Sequence, residues 1–242
     1  MSDSANPEVI FWIDELMVKE TDPWRGVLIE YLRKDTGNEW PYNAIEVKKR
    51  QNPQLNEKFI EELCEDLKKA EKPRIAIVMA GTRDVMLALE ESPEKQAEFL
   101  EQLDSYIEGL LSTFRSHPQH GLLLIGAFPL DEPQEGSHSF SLEKYDALAH
   151  KINSLLMTRV QDQLVKQWNI AFESPCSFFC LENRQLADGI YGTDGLSLTQ
   201  GALNHFVESA MRRVDLLNHS RQKGLDLLTR VDQSCPSGDV PQ

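Results

Sequence analysis

The fold is decided by a short apolar stretch, Arg74–Ala80, with the sequence RIAIVMA. A continuous apolar run of this length, ended by Gly81, is typical of a strand buried on both faces of a sheet. Further runs predict strands at Val9–Ile13, near Ala44–Val47, at Gly121–Gly126 and at Asn169–Phe172. Residues at helical spacing predict helices at about Pro23–Arg33, Leu55–Lys69, Pro93–Ser116, Leu142–Trp168 and Gln200–Asn218.

Strands therefore alternate with helices of ten or more residues along the chain. This alternation indicates right-handed crossovers and a parallel sheet with helices on both faces. About five strands favour an α/β fold with a flavodoxin-like doubly wound sheet over a closed barrel, which needs eight. We predict one domain over residues 8–218 and a polar, flexible C-terminal tail over residues 219–242.

The composition limits the classes of partner. The chain has 242 residues, with 25 Lys and Arg against 39 Asp and Glu, and a formal net charge of −14. Such an acidic surface repels phosphate backbones and anionic membranes, so we expect no membrane partner and disfavour RNA. The four cysteines contain no CxxC pair and no zinc-finger spacing, so we expect reduced thiols, no metal and no cofactor. The polar first eight residues and the short apolar run after them predict a cytoplasmic protein.

Three loops are the candidates for a functional site. In an open parallel sheet, ligands bind beyond the carboxyl ends of the strands. Asp14–Leu16 follows the first strand, Gly81–Asp84 follows the central strand, and Tyr191–Thr199 precedes the last helix. We expect these loops to converge on one edge of the sheet.

The order of these loops resembles the SGNH, or GDSL-type, hydrolase family. That family carries a GDS motif after the first strand, a glycine in a second block, GxND after the central strand, and DGxH before the last helix. Here Ile13–Leu16 is IDEL, Gly81–Asp84 is GTRD, and Asp194–Gly201 is DGLSLTQG. Gly126–Pro129 also resembles the family's passage after the fourth strand. The resemblance covers roughly residues 8–215, and the ordered set of motifs carries it.

The departures from the family pattern fall on the residues that would perform hydrolysis. The resemblance places Glu15 at the nucleophilic serine, Ser197 at the histidine base and Arg83 at the asparagine of the oxyanion hole. Asp194 remains, but without an imidazole to orient, and Lys48–Asn52 offers no match for the glycine of the second block. Because these groups act as a unit, their joint loss should remove essentially all hydrolysis.

We therefore expect no catalytic residue and a degenerate site made of Asp14, Glu15, Gly81, Arg83, Asp84, Asp194 and Ser197. Glu15 and Arg83 carry opposite charges, and we predict a salt bridge between them across the floor of the former site. The alternative is that Arg83 holds an anionic ligand. A carboxylate nucleophile at Glu15 would still lack a base for its second step, because Ser197 cannot serve.

The resemblance implies a non-catalytic domain that acts as a binding or scaffold module, with a protein as the expected partner. One alternative is an active esterase of acyl esters with relocated catalytic residues, such as His138 with a neighbouring serine. A second alternative is RNA binding. SGNH-like domains without the catalytic residues, such as that of the germ-plasm protein Oskar, bind RNA, and esterase-like domains occur in LINE retrotransposon proteins. Lys48–Arg50 and Arg212–Arg213 are the dense basic spots that RNA binding would use.

Overall fold

Five strands form one parallel sheet, and all but the second, AIEVKK, are built mainly from continuous apolar runs. In the computed structural model, which describes residues 7–13, 44–49, 54–134, 139–164, 168–180 and 186–234, the strands are β1 (Glu8–Ile13), β2 (Ala44–Lys49), β3 (Arg74–Met79), β4 (Gly121–Ile125) and β5 (Ile170–Glu173). Their order, β2-β1-β3-β4-β5, is the flavodoxin-like order. In the register, Phe11 pairs with Val47 and Ile77, and Leu123 pairs with Ile77 and Ala171. The predicted fold class is confirmed.

Six described helices surround this sheet: α1 (Glu57–Lys68), α2 (Thr82–Leu89), α3 (Pro93–Ser116), α4 (Leu142–Leu164), α5 (Cys176–Phe179) and α6 (Gln200–Ser234). Alternate side chains of each strand point to opposite faces, so β3 places Ala76 and Val78 on one face and Ile75 and Ile77 on the other. Helices α1, α3 and α4 pack on the first face, and α6 packs on the second. The predicted helix Pro23–Arg33 lies outside the described residues.

Helix α2 forms where the sequence analysis expects a loop after Gly81. Its inward residues, Val85 and Ala88, are fully buried. Asp84, at the third helical position, accepts a hydrogen bond from the Gly81 N–H at 3.1 Å, as the acidic residue of a capping box does. The buried apolar face and this cap together stabilise a helix of only eight residues.

Helix α6 continues to Ser234, so the predicted helix end at about Asn218 is wrong. Residues 219–234 of the predicted tail are helical, and residues 235–242 lie outside the described residues. Arg221 is 3 % exposed, and its Nη1 donates to the Gln119 carbonyl at 2.9 Å. Gly224 lies so close to Trp168 that a Cβ there would lie 2.1 Å from the indole Cδ2. These tertiary contacts hold a polar segment in the helix.

Among the described helices, none is both long enough and apolar enough to cross a membrane.

Candidate functional site

The loop after β3 is shaped by Gly81 and Asp84. Gly81 has a φ of +102°, which favours glycine, and a Cβ there would lie 3.0 Å from the Ala127 amide nitrogen. Asp84 is completely buried. Its carboxylate accepts hydrogen bonds from the N–H groups of Gly81 and Leu55, each at 3.1 Å. Both residues are therefore needed for the shape of the loop, whatever its chemistry.

The loop before α6 is organised around the Asp194 carboxylate. Its Oδ1 accepts from the Ser197 N–H at 2.8 Å and the Leu196 N–H at 3.0 Å, and its Oδ2 accepts from the Ser197 hydroxyl at 2.7 Å. Gly195 has a φ of +64°, and a Cβ there would lie 2.3 Å from the Asp131 carbonyl oxygen. Asp194 therefore closes this loop on Ser197.

The segment that follows β4 joins these two loops. The Phe128 N–H donates to Thr82 Oγ1 at 3.0 Å, next to Gly81. The Asp131 N–H donates to the Gly195 carbonyl at 3.1 Å, and the Gln134 N–H donates to the Thr193 carbonyl at 2.9 Å. The second and third predicted site loops thus meet one segment at one edge of the sheet. The first, with Asp14 and Glu15, lies outside the described residues.

Two buried tyrosines fix the start of that segment. The Tyr145 hydroxyl donates to the Phe128 carbonyl at 2.8 Å, and the Tyr191 hydroxyl donates to the Pro129 carbonyl. Burial, followed by the effect of Tyr145, raises the pKa of Tyr191 well above its usual value. Tyr191 is therefore a neutral hydrogen-bond donor, and its position suits a structural role rather than proton transfer.

An asparagine also clamps the end of β4. Asn153 Oδ1 accepts from the Ala127 N–H at 2.7 Å, and its Nδ2 donates to the Ala127 carbonyl at 3.0 Å. A Cβ at Gly126 would lie 2.2 Å from Asn153 Oδ1, so the clamp requires glycine at this position. Gly126 belongs to a motif of the sequence, but no pattern in the sequence indicates Asn153, which comes from the middle of α4.

Arg83 lies beside a cavity rather than in a described ion pair. Its Nε is buried and finds no hydrogen-bond partner, and no carboxylate of the described residues lies within salt-bridge distance of its guanidinium. The cavity has a volume of about 380 Å³ and is lined by Arg83, Met86, Leu89, Glu90, Ser139, Phe140, Ser141 and Lys144. The predicted salt bridge with Glu15 stays a prediction, because Glu15 lies outside the described residues.

A second polar cluster, missed by the sequence analysis, lies at the end of β5. The Ser177 hydroxyl donates to Glu173 Oε1 at 2.5 Å, and Arg213 Nε lies 2.7 Å from Glu173 Oε2. Burial, followed by the nearby Cys176, raises the pKa of Cys180 to about 12, so its thiol is protonated and unreactive at neutral pH. Arg213, predicted as part of a basic spot, is thus partly neutralised by Glu173.

The described residues contain no group of three or more His, Cys, Asp or Glu side chains that could hold a metal ion. The groups that meet at this edge of the sheet are hydrogen-bonding carboxylates, amides and hydroxyls. Their observed contacts stabilise loops.

The chain is similar to solved hydrolase structures. No family model matches the sequence, and neither does any curated protein. A protein assigned to the G-D-S-L lipolytic family, from Desulfitobacterium hafniense DCB-2, is 14 % identical, with a TM-score of 0.56 over 86 % of this chain and 99 % of that one. The native aryl esterase of M. smegmatis is 16 % identical, with a TM-score of 0.55 over 87 % and 99 % of the two chains.

A carbohydrate acetylesterase family member from Sinorhizobium meliloti is 15 % identical, with a TM-score of 0.54 over 87 % of this chain and 98 % of that one. At such low identity, these likenesses concern the backbone and leave the chemistry of the site open. The strand order, the site loops at the carboxyl edge of the sheet and these neighbours agree: the chain has the α/β fold of the SGNH, or GDSL-type, hydrolases.

Proposed function

We propose that this chain is a non-catalytic binding module built on the hydrolase fold, with a protein as its partner. The observation that carries the proposal is the contact between Asp194 and Ser197. The carboxylate that would orient a catalytic histidine accepts the Ser197 hydroxyl at 2.7 Å and two main-chain N–H groups instead. A serine hydroxyl cannot act as the general base that activates a nucleophile in this position.

Two further substitutions point the same way. Glu15 occupies the position that the resemblance assigns to the nucleophile, and Arg83 occupies that of the oxyanion-hole asparagine. The Arg83 Nε, the guanidinium nitrogen closest to the chain, is buried within the protein. Nucleophile, base and hole donor are thus all different, and such groups contribute to rate as a unit.

The surface favours a protein over RNA as the partner. Leu216 and Leu227 are 61 % and 60 % exposed, and their spacing of eleven residues puts them on one face of α6. Exposed apolar side chains on one helix face are typical of protein contacts. The net charge of −14 opposes binding to a phosphate backbone.

Hydrolysis of p-nitrophenyl esters, together with labelling by a fluorophosphonate probe, tests the catalytic half of the proposal. We expect no hydrolysis above the rate measured without protein, and no labelled serine. Labelling that maps to Ser177, whose hydroxyl donates to the Glu173 carboxylate, would instead support an esterase with relocated residues. Labelling of any other serine would equally contradict a non-catalytic role.

A photo-crosslinking residue at position 216 tests the protein partner. We expect a discrete crosslinked protein from cells with the probe at Leu216 and none with the probe at Lys58, which is exposed on α1 across the sheet. The crosslink should disappear in a Leu227→Asp variant, because both leucines belong to the same helix face. Equal crosslinking from both positions would contradict a specific surface on α6.

A further inference from the structure

The cavity beside Arg83 has the chemistry of an anion site. It lies between α2, with Arg83 and the following residue Glu90, and the start of α4, with Lys144 and the preceding residue Ser141. Two cationic side chains therefore face one carboxylate across a space of about 380 Å³. This volume is at the lower end of the range for small-molecule sites, roughly 300–1,000 Å³. The cavity is positive in a protein whose net charge is −14.

Arg83 is the group in this cavity that suits an anion best. It is half-buried and makes no ion pair within the part of the chain that the structure describes. Its Nε has almost no accessible surface, so a ligand in the cavity would meet the terminal guanidinium nitrogens, whose two N–H groups fit the two oxygens of a carboxylate or phosphate. The start of α4 adds the positive end of a helix dipole to the same cavity.

The remaining walls are apolar. Phe140, Met86 and Leu89 line the cavity and also pack against the core of the first face. Such walls favour a ligand that carries a compact apolar body next to its charged group. Ser139 and Ser141 add hydroxyls near the opening, where both residues are exposed.

We propose that this cavity binds a small organic anion, with its carboxylate or phosphate group on Arg83 and Lys144 and its apolar body against Phe140. This proposal takes the alternative in which Arg83 holds an anionic ligand, in place of the predicted salt bridge with Glu15. It goes beyond the non-catalytic role and is independent of it, because binding is measured without an ester or a protein partner. If the hydrolysis experiment contradicts the non-catalytic role, the anion site still stands. If no anion binds, the non-catalytic role still stands.

Isothermal titration calorimetry with benzoate, phenyl phosphate and neutral benzamide tests the site in the full chain. We expect saturable binding of at least one of the two anions in the millimolar range or tighter, and the preferred anion identifies the head group. Benzamide should bind more weakly than that anion. Arg83→Gln should weaken anion binding by about tenfold or more, since it removes a charge-assisted pair of hydrogen bonds. Lys144→Gln should weaken it by roughly two- to fivefold, because Lys144 is exposed and screened.

A variant that should bind the anion more tightly provides a second test. Glu90→Gln removes the carboxylate of the cavity and should tighten anion binding by roughly two- to fivefold. Arg212→Gln and Lys223→Gln, exposed on α6 across the sheet, are the charge-matched controls and should leave affinity unchanged. Circular dichroism of each variant verifies its fold. The proposal is overturned if benzamide binds as tightly as the anions or if the α6 controls lose as much affinity as Arg83→Gln. It is also overturned if neither anion shows saturable binding.

Discussion

The side chain of Asp84 holds Leu55, twenty-nine residues earlier in the chain, by a hydrogen bond from the Leu55 N–H at 3.1 Å. The same carboxylate caps α2 through Gly81. Asp84 is the last residue of the motif that resembles GxND, and it is completely buried. Its contacts give this motif residue a structural role that does not depend on catalysis. Both of these hydrogen bonds are with main-chain N–H groups, so the aspartate fixes the course of the main chain.

We predict that Asp84→Ala lowers the free energy of unfolding by roughly 2–5 kcal/mol. The substitution leaves two buried N–H donors without an acceptor, and each unsatisfied donor costs about 1–3 kcal/mol. Urea unfolding followed by circular dichroism measures the change. Asp188→Ala, at an exposed position in the loop before α6, is the control and should be nearly neutral. A similar loss in both variants would show that the Asp84 contacts contribute little.

Gly195 and Gly189 form a matched pair for a second prediction. Both have positive φ, +64° and +73°, but a Cβ would meet Asp131 main chain at 2.3 Å only at Gly195, whereas nothing lies within 4 Å at Gly189. We expect Gly189→Ala to cost roughly 1 kcal/mol, the strain of a left-handed alanine. Gly195→Ala should cost roughly 3 kcal/mol or more, because it also pushes the loop away from Asp131.

The difference between the two glycine variants is the quantity to measure, by thermal unfolding under identical conditions. If the close approach of residues 131 and 195 shapes the site edge, only Gly195→Ala will also lose the protection of the Asp131 amide against hydrogen exchange. Equal melting temperatures for the two variants would argue against that close approach.

Introducing the residues of the SGNH pattern tests whether Glu15, Arg83 and Ser197 lie at its catalytic positions. We predict that the combined variant Glu15→Ser, Arg83→Asn and Ser197→His reacts with a fluorophosphonate probe at position 15. The introduced histidine would take the place of the Ser197 hydroxyl on Asp194 Oδ2. Ester hydrolysis should rise by about 10²-fold or more above the parent, whereas Ser197→His alone should show no gain, because these groups act together.

The control for this reconstruction adds Asp194→Asn to the triple variant. An amide there would no longer fix the imidazole in the tautomer that accepts a proton from the nucleophile, so the gain should be lost. A folded triple variant that stays unlabelled would contradict the placement of Glu15 and Ser197 at the family's catalytic positions.

Much of the fold could be predicted from the sequence, because its signals are local. Continuous apolar runs give the strands, and helical stretches between them give the parallel order. The predicted helix bounds are wrong where contacts between residues far apart in the chain determine them. The continuation of α6 past Asn218 is supported by Gly224 packing against Trp168, and the start of α2 depends partly on Asp84 reaching Leu55. Neither contact leaves a pattern in the local sequence.

The candidate site shows the same division. Motif order identified Gly81, Arg83 and Asp194, because each lies close to the end of a strand or the start of a helix. The rest of the Arg83 cavity comes from Phe140 and Lys144, far along the chain and outside every motif. Only the packing of α4 against α2 brings these side chains to Arg83.

The edge of the sheet opposite the site supplies the final prediction, through His120. This histidine is 3 % exposed, and its Nδ1 accepts from the Arg74 N–H at 3.0 Å, so that nitrogen carries no proton. Burial first, then the positive charges that His117, Arg74 and Arg221 place nearby, lower the pKa of His120 from 6.5 to about 4. The folded state therefore holds a neutral imidazole through a pH range in which the unfolded chain binds a proton.

The stability that this histidine supplies is fully present above pH 6.5 and is lost as the pH falls toward 4. A shift of this size corresponds to a loss of up to about 3 kcal/mol across that window. His120→Asn keeps an acceptor for the Arg74 N–H but removes the titrating group, so its stability should fall less between about pH 7 and pH 4.5. His219→Gln, exposed on α6, should follow the parent chain. Because carboxylates titrate in all three proteins, the parent-minus-variant difference isolates His120, and a difference that does not change with pH would refute its role.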